Sequence, residues 1–505
     1  MKLSFLKQKK FVNFAVYILI CIFPLFIANG YHNITNAKYY FFCIASAASL
    51  AICLIISIVR QPLPSLKKNP FTSTDNFMFI FLIICVFSCL ASNYRFAAFS
   101  GNNGRHMGLL AMFGMGAAYF FISQFYHLRF KEFCHFGISA VLICFMAVLQ
   151  YIGYDPIFLL ATVSVEKRPV FLSTIGNVNV FASYLCLSIP VAMCLSCFSE
   201  KIKHKIFWLI VSAFGFLALL TSNSDSVIIG FFVAVMVIFF ITCKEKSSFV
   251  GFLDLCLVFF LSCGFFRFLR IIFAGRTRIL SFMTSVLIDP AIFIPLLAFF
   301  VILRVIFIKI QPDVRFYSVV RKAVLSFLII GVIGAVGLII WSTWIKPDFP
   351  LGIVERYFRL NDTWGSERGF FWKHLFKIFI NMPLHKKFIG SGEDTIALLI
   401  REYYGSKLFD YMGYIYDNAH NEWLQYLLTL GIWGLVTYFA VIILTIRTCL
   451  KSHSILKYAL LAGICAYFAQ SFFNIIQPLT TPLFFVLIGL ANTREDISYD
   501  IQNAA

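Results

Sequence analysis

The feature that most constrains this chain is a series of about fourteen apolar runs, each long enough or nearly so to cross a bilayer as a helix. A helix needs about 20 mostly apolar residues to span the hydrocarbon, and lipid offers no partner to an unpaired backbone amide. The runs therefore predict an all-α polytopic membrane helix bundle of about 12–14 transmembrane helices. Their approximate positions are 11–29, 39–59, 77–92, 107–125, 133–153, 178–198, 206–221, 226–243, 248–266, 286–308, 323–345, 423–446, 458–474 and 478–492.

Composition agrees with this architecture. Hydrophobic residues make up 60% of the chain and charged residues only 13%, whereas about a quarter of a soluble domain is charged. Run 11–29 follows several lysines, as the core of a signal peptide does. It is too long for that, and Ile27-Ala28-Asn29-Gly30 is a poor cleavage site. We therefore interpret it as the first membrane helix.

The distribution of charge predicts the orientation. The net charge is +19, but the basic residues lie in alternate short loops, which argues against a nucleic-acid partner. Basic residues favour cytoplasmic loops, and this places both termini in the cytoplasm. The largest hydrophilic loop, 346–422, is then outside, before the last three helices of a single membrane domain over 1–505. The basic loops contain Lys67, Lys68, Arg129, Lys131, Lys201, Lys203, Lys205, Lys244, Lys246, Arg321, Lys322, Lys451 and Lys457.

Cysteine and glycine patterns indicate no cofactor. The fifteen cysteines lie in or beside apolar runs, so we expect no disulfide scaffold. Cys194 and Cys197 have the spacing of a redox motif, but they end an apolar helix with no histidine nearby, which favours a packing role. Neither a metal-ligand spacing nor a phosphate-binding glycine motif occurs. We expect neither a metal nor another cofactor.

Within the large loop, residues 369–380 have an amphipathic pattern. Phe371, Leu375 and Phe379 recur on one side at helical spacing. We expect a helix in the membrane interface with its apolar face towards lipid. It should end before Pro383, because proline cannot continue the helical backbone ladder.

A polar cluster, residues 416–422, stands at the end of this loop, directly before an apolar run. His420 is its centre. A histidine with a pKa near neutrality could accept a proton from an acceptor hydroxyl or donate a hydrogen bond to a diphosphate. The plainer alternative is a helix-entry histidine hydrogen-bonded to Asp417.

Three arginines lie in separate loops on the predicted outer side: Arg105, Arg168 and Arg368. Guanidinium groups bind phosphate bidentately. Each one alone is more simply a solvated or headgroup-bound arginine, whereas three that converge would form a diphosphate clamp.

Further charges do not fit the topology so simply. Four arginines also fall on the predicted outer side, so either the neighbouring runs are misassigned, which we favour, or these arginines bind anions. They are Arg267, Arg270, Arg276 and Arg278. Among acids near apolar runs, Asp225 is explained by an exposed turn and Asp289 by a helix end. Asp254 is the only deep one, and the sequence indicates no role for it.

Together these features resemble the O-antigen ligase and polymerase superfamily of bacterial envelopes. The resemblance spans roughly 95–490 in order, with the large outer loop where the family has it. The residues that carry it are His420, Asn421, Leu424, Gly431, Gly434, Gly390, Gly392, Asp394, Ser366, Arg368, Trp372, Gly101, Arg105, Gly108, Gly176, Asn177, Asn179 and Ala182.

The resemblance implies an inverting, metal-independent glycosyltransferase of the bacterial inner membrane. Its donor would be a glycan on polyprenyl diphosphate. Its acceptor would be lipid A core, a growing polysaccharide or a protein. Arg105, Arg368 and His420 would be catalytic, with Arg168 helping to bind the diphosphate. The implied substrate-binding residues also include Asn177, Asn179, Asn421 and Asp394.

This chain departs from the superfamily pattern at one position, and the departure changes the set of arginines that the resemblance implies. Many members of the superfamily carry an arginine after the serine in the outer turn around Ser224, and here that residue is Asp225.

Other classes of protein fit less well. A ligase and a polymerase use the same donor and the same motifs, and we place the ligase first. A flippase or other transporter should show pseudo-repeats and short outer loops, whereas here the polar motifs gather in one long loop. A structural membrane protein would have no need of clustered His, Asn and Arg at helix mouths.

Overall fold

The computed structural model describes residues 2–59, 70–102, 104–405 and 416–495. Its first half is mainly helical. The helices are α1 Lys2–Tyr17, α2 Phe23–Leu25, α3 Ile34–Val59, α4 Ser73–Ala91, α5 Arg95–Ser100, α6 Leu109–Phe125, α7 Phe130–Tyr151, α8 Val178–Phe198, α9 Ile202–Ser222 and α10 Asp225–Thr242. Short 3-10 turns occupy Tyr31–Asn33, Leu159–Thr162 and Val165–Val170, and a π-helical turn, Ile18–Ile22, joins α1 to α2.

The second half contains the large loop and the last membrane helices. Its helices are α11 Lys246–Ile272, α12 Phe282–Leu287, α13 Pro290–Lys309, α14 Val314–Ile340, α15 Glu355–Phe358, α16 Trp364–Asn381, α17 Leu384–Ile389, α18 Ile396–Tyr404, α19 Glu422–Thr429, α20 Gly431–Ser452, α21 Ile455–Ser471 and α22 Thr481–Ala491. A π-helical turn, Trp341–Ile345, extends α14, and a 3-10 turn, Gly352–Val354, precedes α15.

Strand content is minimal in the described residues. The strands are β1 His127–Leu128, β2 Phe171–Leu172, β3 Gly176–Asn177 and β4 Arg494–Glu495. β1 pairs with β4 in parallel, with His127 opposite Arg494, and β2 pairs with β3 in antiparallel register. These short pairs tie loops together and do not form a sheet layer.

The predicted all-α polytopic membrane bundle is confirmed. In the described part of the chain, ten helices are long and apolar enough to cross a membrane, and three shorter apolar helices, α6, α21 and α22, accompany them. The helix α8 is central, since every residue of its apolar 18-residue window is buried inside the protein. In α14, by contrast, no residue of the corresponding apolar 18-residue window is buried. α14 therefore lies at the periphery of the bundle and presents its side chains to lipid.

The long run 423–446 is divided between two helices, α19 and α20. The division lies at Leu430 and Gly431, where Gly431 has a φ of +69°. The turn beginning at Gly390 crosses this break: a Cβ on Gly390 would lie 2.1 Å from the Thr429 carbonyl oxygen, and one on Gly431 would lie 2.4 Å from the Phe388 carbonyl. Only glycine fits at both positions, and the crossing brings the large loop against the bundle.

The predicted amphipathic helix exists as α16, but its apolar side packs on protein. Phe371, Leu375 and Ile378 are buried in a small cluster separate from the bundle core, which we call the loop core. The cluster consists of Phe371, Leu375, Ile378, Met382, Ile396, Leu399, Ile400, Ala419 and Leu428. The loop core joins α16 and α18 to the segment that carries His420.

Two of the acids near apolar runs, Asp254 and Asp289, have partners that explain their positions in the bundle. Asp254 forms an ion pair with Lys205, with Nζ and Oδ2 2.6 Å apart, and another with Arg304. A buried acid in a membrane helix is costly without such partners. Asp289 caps α13, since its Oδ1 accepts from the Ala291 amide at 2.9 Å, as expected for a helix end.

The four arginines from 267 to 278 lie at the end of α11 and in the loop that follows it. This segment stands between two regular membrane helices, α11 and α13. α11 and α13 form helices over both runs, which supports the assignment of the runs over the favoured explanation, a misassigned run. Arg278 donates to the carbonyl oxygens of Pro169, Arg168 and Phe171. Its segment therefore lies at the same end of the bundle as the loop around Arg168. We call this the loop end.

Candidate functional site

His420 lies on a loop that is fixed through its backbone. The Ala419 amide donates to Gln425 Oε1 at 2.9 Å, and the Ala419 carbonyl accepts from Trp372 Nε1 at 2.9 Å. The His420 amide donates to Asn418 Oδ1 at 2.8 Å, and the backbone of His420 is left-handed, with a φ of +47°. This conformation is uncommon for residues other than glycine, so the surrounding contacts hold the histidine in place.

The imidazole of His420 lies near charged side chains and has no hydrogen-bond partner among the described residues. Its ring meets the ring of Tyr416 edge to face, with ring centroids 5.9 Å apart. Burial, then the charges of Arg368 and Arg105, lower the pKa of His420 to about 4, against the opposing effect of Asp417. The imidazole is therefore neutral at pH 7 and has a nitrogen lone pair available. No hydrogen bond to Asp417 is present, in contrast to the plainer alternative.

Arg105 is held by two carboxylates. Its Nη1 lies 2.5 Å from Asp417 Oδ2, and its Nε lies 3.9 Å from Asp394 Oδ1. Asp394 Oδ2 also accepts the amides of Asn102 at 2.8 Å and Met107 at 3.3 Å. Burial raises the pKa of Asp394 to about 6, although these donors and Arg105 oppose the shift. Asp394 thus binds the turn that carries Arg105 to the large loop.

Asp417 joins the same network. Burial acts to raise its pKa, but Arg105 and the Asn418 side chain outweigh burial and lower it. Asn418 Nδ2 donates to Asp417 Oδ1 at 2.6 Å. Asp417 is consequently ionised at neutral pH and neutralises part of the charge of Arg105 beside the histidine.

Arg368 contrasts with Arg105 because no acidic side chain of the described residues pairs with it. Among the described residues its guanidinium has neither a hydrogen-bond acceptor nor an ion-pair partner. Burial lowers its pKa. The backbone just before it is left-handed at Gly365, Ser366 and Glu367, and strain of this kind concentrates at functional sites.

Arg368 lines a cavity of about 920 Å³ at the loop end, which we call the Arg368 cavity. Asn179, Ser366 and Arg356 line it too. Arg356 has no motif around it in the sequence, so sequence reasoning missed it; its guanidinium lies over the Phe282 ring, 5.3 Å from the centroid.

Asp225, where the superfamily commonly has arginine, also lines the Arg368 cavity. Its Oδ2 accepts from the Tyr357 hydroxyl at 3.1 Å. An acid therefore occupies this wall of the cavity, and Arg356 on the neighbouring short helix provides a cation that the turn at Ser224 does not.

The asparagines have local structural contacts. Asn421 caps α19, with Oδ1 accepting the amides of Trp423 and Leu424 at 3.0 Å each, and only 4% of Asn421 is exposed. Asn177 caps α8 by accepting from the Asn179 amide at 2.9 Å. Asn179 is exposed to the Arg368 cavity, and its Oδ1 accepts from Ser224 Oγ at 2.9 Å.

Arg168 lies elsewhere. It lines a second cavity of about 580 Å³ with Arg276 and Arg278, which we call the Arg168 cavity. The structure therefore brings together His420, Arg368 and Arg105, with Asp394 behind Arg105, but it places Arg168 with the arginines that follow α11. No group of three His, Cys, Asp or Glu side chains within the described ranges is arranged to hold a metal ion.

Comparison with known proteins identifies the second half of the chain. A family model described as O-antigen ligase matches residues 290–439, the segment that contains Arg368, Asp394 and His420. No curated protein matches the chain. Together with the all-α membrane bundle, the match over residues 290–439 supports a membrane enzyme of the O-antigen ligase and polymerase superfamily.

Proposed function

We propose that the protein is an O-antigen ligase-like glycosyltransferase that moves a glycan from polyprenyl diphosphate to an acceptor such as lipid A core, on the outer face of the bacterial inner membrane. The observation that carries the proposal is Arg368, a partly buried arginine that lines a cavity, has no acidic partner among the described residues and acts by its charge on a neutral histidine, His420. A buried cation without a counter-ion is costly unless a ligand supplies the negative charge. A diphosphate supplies it.

The chemistry proceeds by a single displacement. A hydroxyl oxygen of the acceptor attacks the anomeric carbon, and the bond from that carbon to the diphosphate oxygen breaks with inversion. The hydroxyl proton passes to the neutral imidazole of His420, and the bonding electron pair leaves with the diphosphate. Arg368 stabilises the charge that develops on the leaving group, a role for which positioned cations are effective in sites that exclude water.

His420 becomes a stronger base when the donor binds. In the free protein burial, and then the neighbouring arginines, lower its pKa to about 4. A diphosphate between these arginines offsets their charge, and a nearby anion favours the protonated imidazole. The proton therefore moves to His420 most readily when the leaving group is in place.

Arg105 acts as a positioning residue in this scheme. Its ion pair with Asp417 and its contact with Asp394 hold the 416–421 segment against the turn before α6. Its charge also contributes to the low pKa of His420. Asn179 and Arg356 line the cavity wall and are placed to contact the glycan or the diphosphate.

The test is the surface-glycan profile of a deletion strain, resolved by size and by anchor. The strain is complemented with the wild type, with His420→Ala and with His385→Ala, a matched control because His385 is an exposed histidine of the same loop. We expect His420→Ala, but not His385→Ala, to fail. Full-length polymer left on its polyprenyl carrier would identify a ligase.

Other outcomes would identify a different activity or contradict glycan transfer. A single repeat unit left on the anchor would identify a polymerase, and loss of glycan from protein alone would identify a protein transferase. An unchanged profile in the deletion strain would contradict all three activities and return transport to consideration.

A further inference from the structure

The Arg168 cavity is lined by basic side chains from two distant parts of the chain. Arg168 comes from the 3-10 turn before β2, and Arg276 and Arg278 come from the segment after α11. Arg270, on the last turn of α11, lies close by, with its Nη1 3.5 Å from the Tyr151 hydroxyl, and Tyr151 lines the same cavity. The bundle thus gathers four arginines at one point of its loop end.

Acidic side chains do not neutralise these arginines. None of the four forms an ion pair with a described residue. The one carboxylate in the cavity wall, Asp155, is engaged locally, because it accepts from the Leu160 amide at 2.6 Å and from Gln150 Nε2 at 3.0 Å. Arg278 donates to carbonyl oxygens, which satisfy its N–H groups but leave its charge. The cavity therefore attracts an anion.

The rim of this cavity is apolar and exposed. Phe158 is 75% exposed and Val165 is 72% exposed, and both line the cavity. Phe158 has a left-handed backbone, with a φ of +54°, which is a genuine outlier for a bulky residue. Strained backbone of this kind persists only where its surroundings enforce it, and here the strain turns an aromatic ring outward beside the arginines.

An apolar rim beside arginines favours a lipid anion over a soluble anion. A soluble anion gains nothing from exposed aromatic and aliphatic side chains, whereas a lipid buries its acyl chains against them while its phosphate reaches the guanidinium groups. Arginine is well suited to the phosphate because its planar fork donates two parallel hydrogen bonds. Anionic lipid also gathers near clustered basic residues at a membrane surface.

We propose that the Arg168 cavity binds the phosphate-bearing headgroup of a lipid, as an anion site separate from the Arg368 cavity. The two cavities share no lining residue. The proposal does not depend on the glycosyltransferase activity, because it concerns binding alone. The segment 278–281 lies between the two cavities: the Asn223 side chain, which lines the Arg368 cavity, donates to the Ile279 carbonyl at 2.8 Å.

Lipid binding to the purified full-length protein tests this proposal. Retention of phosphatidylglycerol is measured by native mass spectrometry and compared with diacylglycerol, which has no phosphate. The variant is the pair Arg168→Gln and Arg276→Gln, chosen because Arg278 holds the backbone at 169–171. The matched control is Arg267→Gln, an exposed arginine of α11 that does not line the cavity.

We expect the double variant to bind phosphatidylglycerol on the order of tenfold or more weakly than the wild type, since it loses two charge-assisted contacts. The control should bind as the wild type does, and diacylglycerol should not bind specifically. Thermal melting of each variant separates loss of the site from loss of the fold.

Three results would overturn the proposal. One is equal retention of phosphatidylglycerol by the folded double variant. Another is equal binding of diacylglycerol, which would mean that phosphate is not recognised. The third is displacement of the lipid by inorganic phosphate at an equal concentration, which would mean that the cavity recognises free phosphate and that the apolar rim plays no part.

Discussion

The Arg368 cavity and the Arg168 cavity lie side by side at one end of the bundle, and the arginines that line them form no ion pair with a described residue, yet among these arginines Arg368 alone acts on His420. The charge of Arg368 acts on His420, which is neutral and has no hydrogen-bond partner for its imidazole among the described residues. No histidine lines either cavity, and no described histidine is influenced in this way by the arginines of the Arg168 cavity. The comparison separates two uses of the same cation: arginine alone binds a phosphate, whereas arginine next to a neutral imidazole can also assist the departure of that phosphate.

The largest effect should come from His420, the histidine on which the charge of Arg368 acts. We expect His420→Ala to lower glycan transfer by about 10²–10⁴-fold, the contribution usual for a general base, with normal membrane insertion. An in vitro transfer assay with a polyprenyl-diphosphate-linked glycan measures the rate. His385→Ala should retain activity, and wild-type activity from His420→Ala would remove the distinction between the cavities.

The next effect should come from Arg368→Gln, which we expect to lower kcat/KM by roughly 10²-fold, as loss of one charge-stabilising donor does. Arg356→Gln makes a matched comparison in the same cavity. We expect a loss of about tenfold from it, since the Arg356 guanidinium packs over Phe282. If the order of the two effects were reversed, Arg356 would be the main contact of the diphosphate.

A packing change should show that the fold near His420 depends on the glycine crossing. We expect Gly390→Ala to destabilise the protein by about 1–3 kcal/mol, because the new Cβ would lie 2.1 Å from the Thr429 carbonyl oxygen at a backbone φ of +81°. Thermal unfolding in detergent is the measurement. Gly331→Ala is the control, since a Cβ there meets nothing within 4 Å. Phosphatidylglycerol retention by Gly390→Ala should persist below its unfolding temperature if the cavities are independent.

The smallest effect should be a displacement in the pH profile. A pKa of about 4 for His420 predicts that kcat/KM is flat from neutral pH down towards its acid limb, since kcat/KM reports the free enzyme. Arg368→Gln removes a positive neighbour, so the pKa of His420 should rise and the acid limb should move to higher pH. Arg356→Gln should leave the limb in place. An acid limb that does not move would show that Arg368 and His420 are not coupled.

The helices could be predicted from the sequence because hydrophobic length is a local property. Each of the fourteen runs corresponds to helix in the described residues, and the run 423–446 is divided between two helices. That division depends on Gly390, which lies far away in the chain and fills the space left by the absent side chain of Gly431. No local pattern contains this contact.

Sequence motifs predicted the site residues that they contain. They did not predict which distant segments of the chain meet at the site. His420, Arg368 and Arg105 stand out in the sequence, and the structure brings them together. Arg168 does not join them, because its place is decided by Arg278 and the loop after α11. The roles of His420, Arg368 and Arg105 in transfer remain predictions for the variants above.

The ion pair of Arg105 has a consequence for the synthesis of the protein. Asp394 and Asp417 follow the turn that carries Arg105 by roughly 290 to 310 residues. At a translation rate of ~5–20 residues per second, these carboxylates emerge about 15–60 s after Arg105. The first half of the bundle must therefore enter the membrane before either of these two carboxylates can pair with Arg105. A chain that ends before residue 394 would insert its early helices and never acquire the site, so complete synthesis is itself a condition of activity.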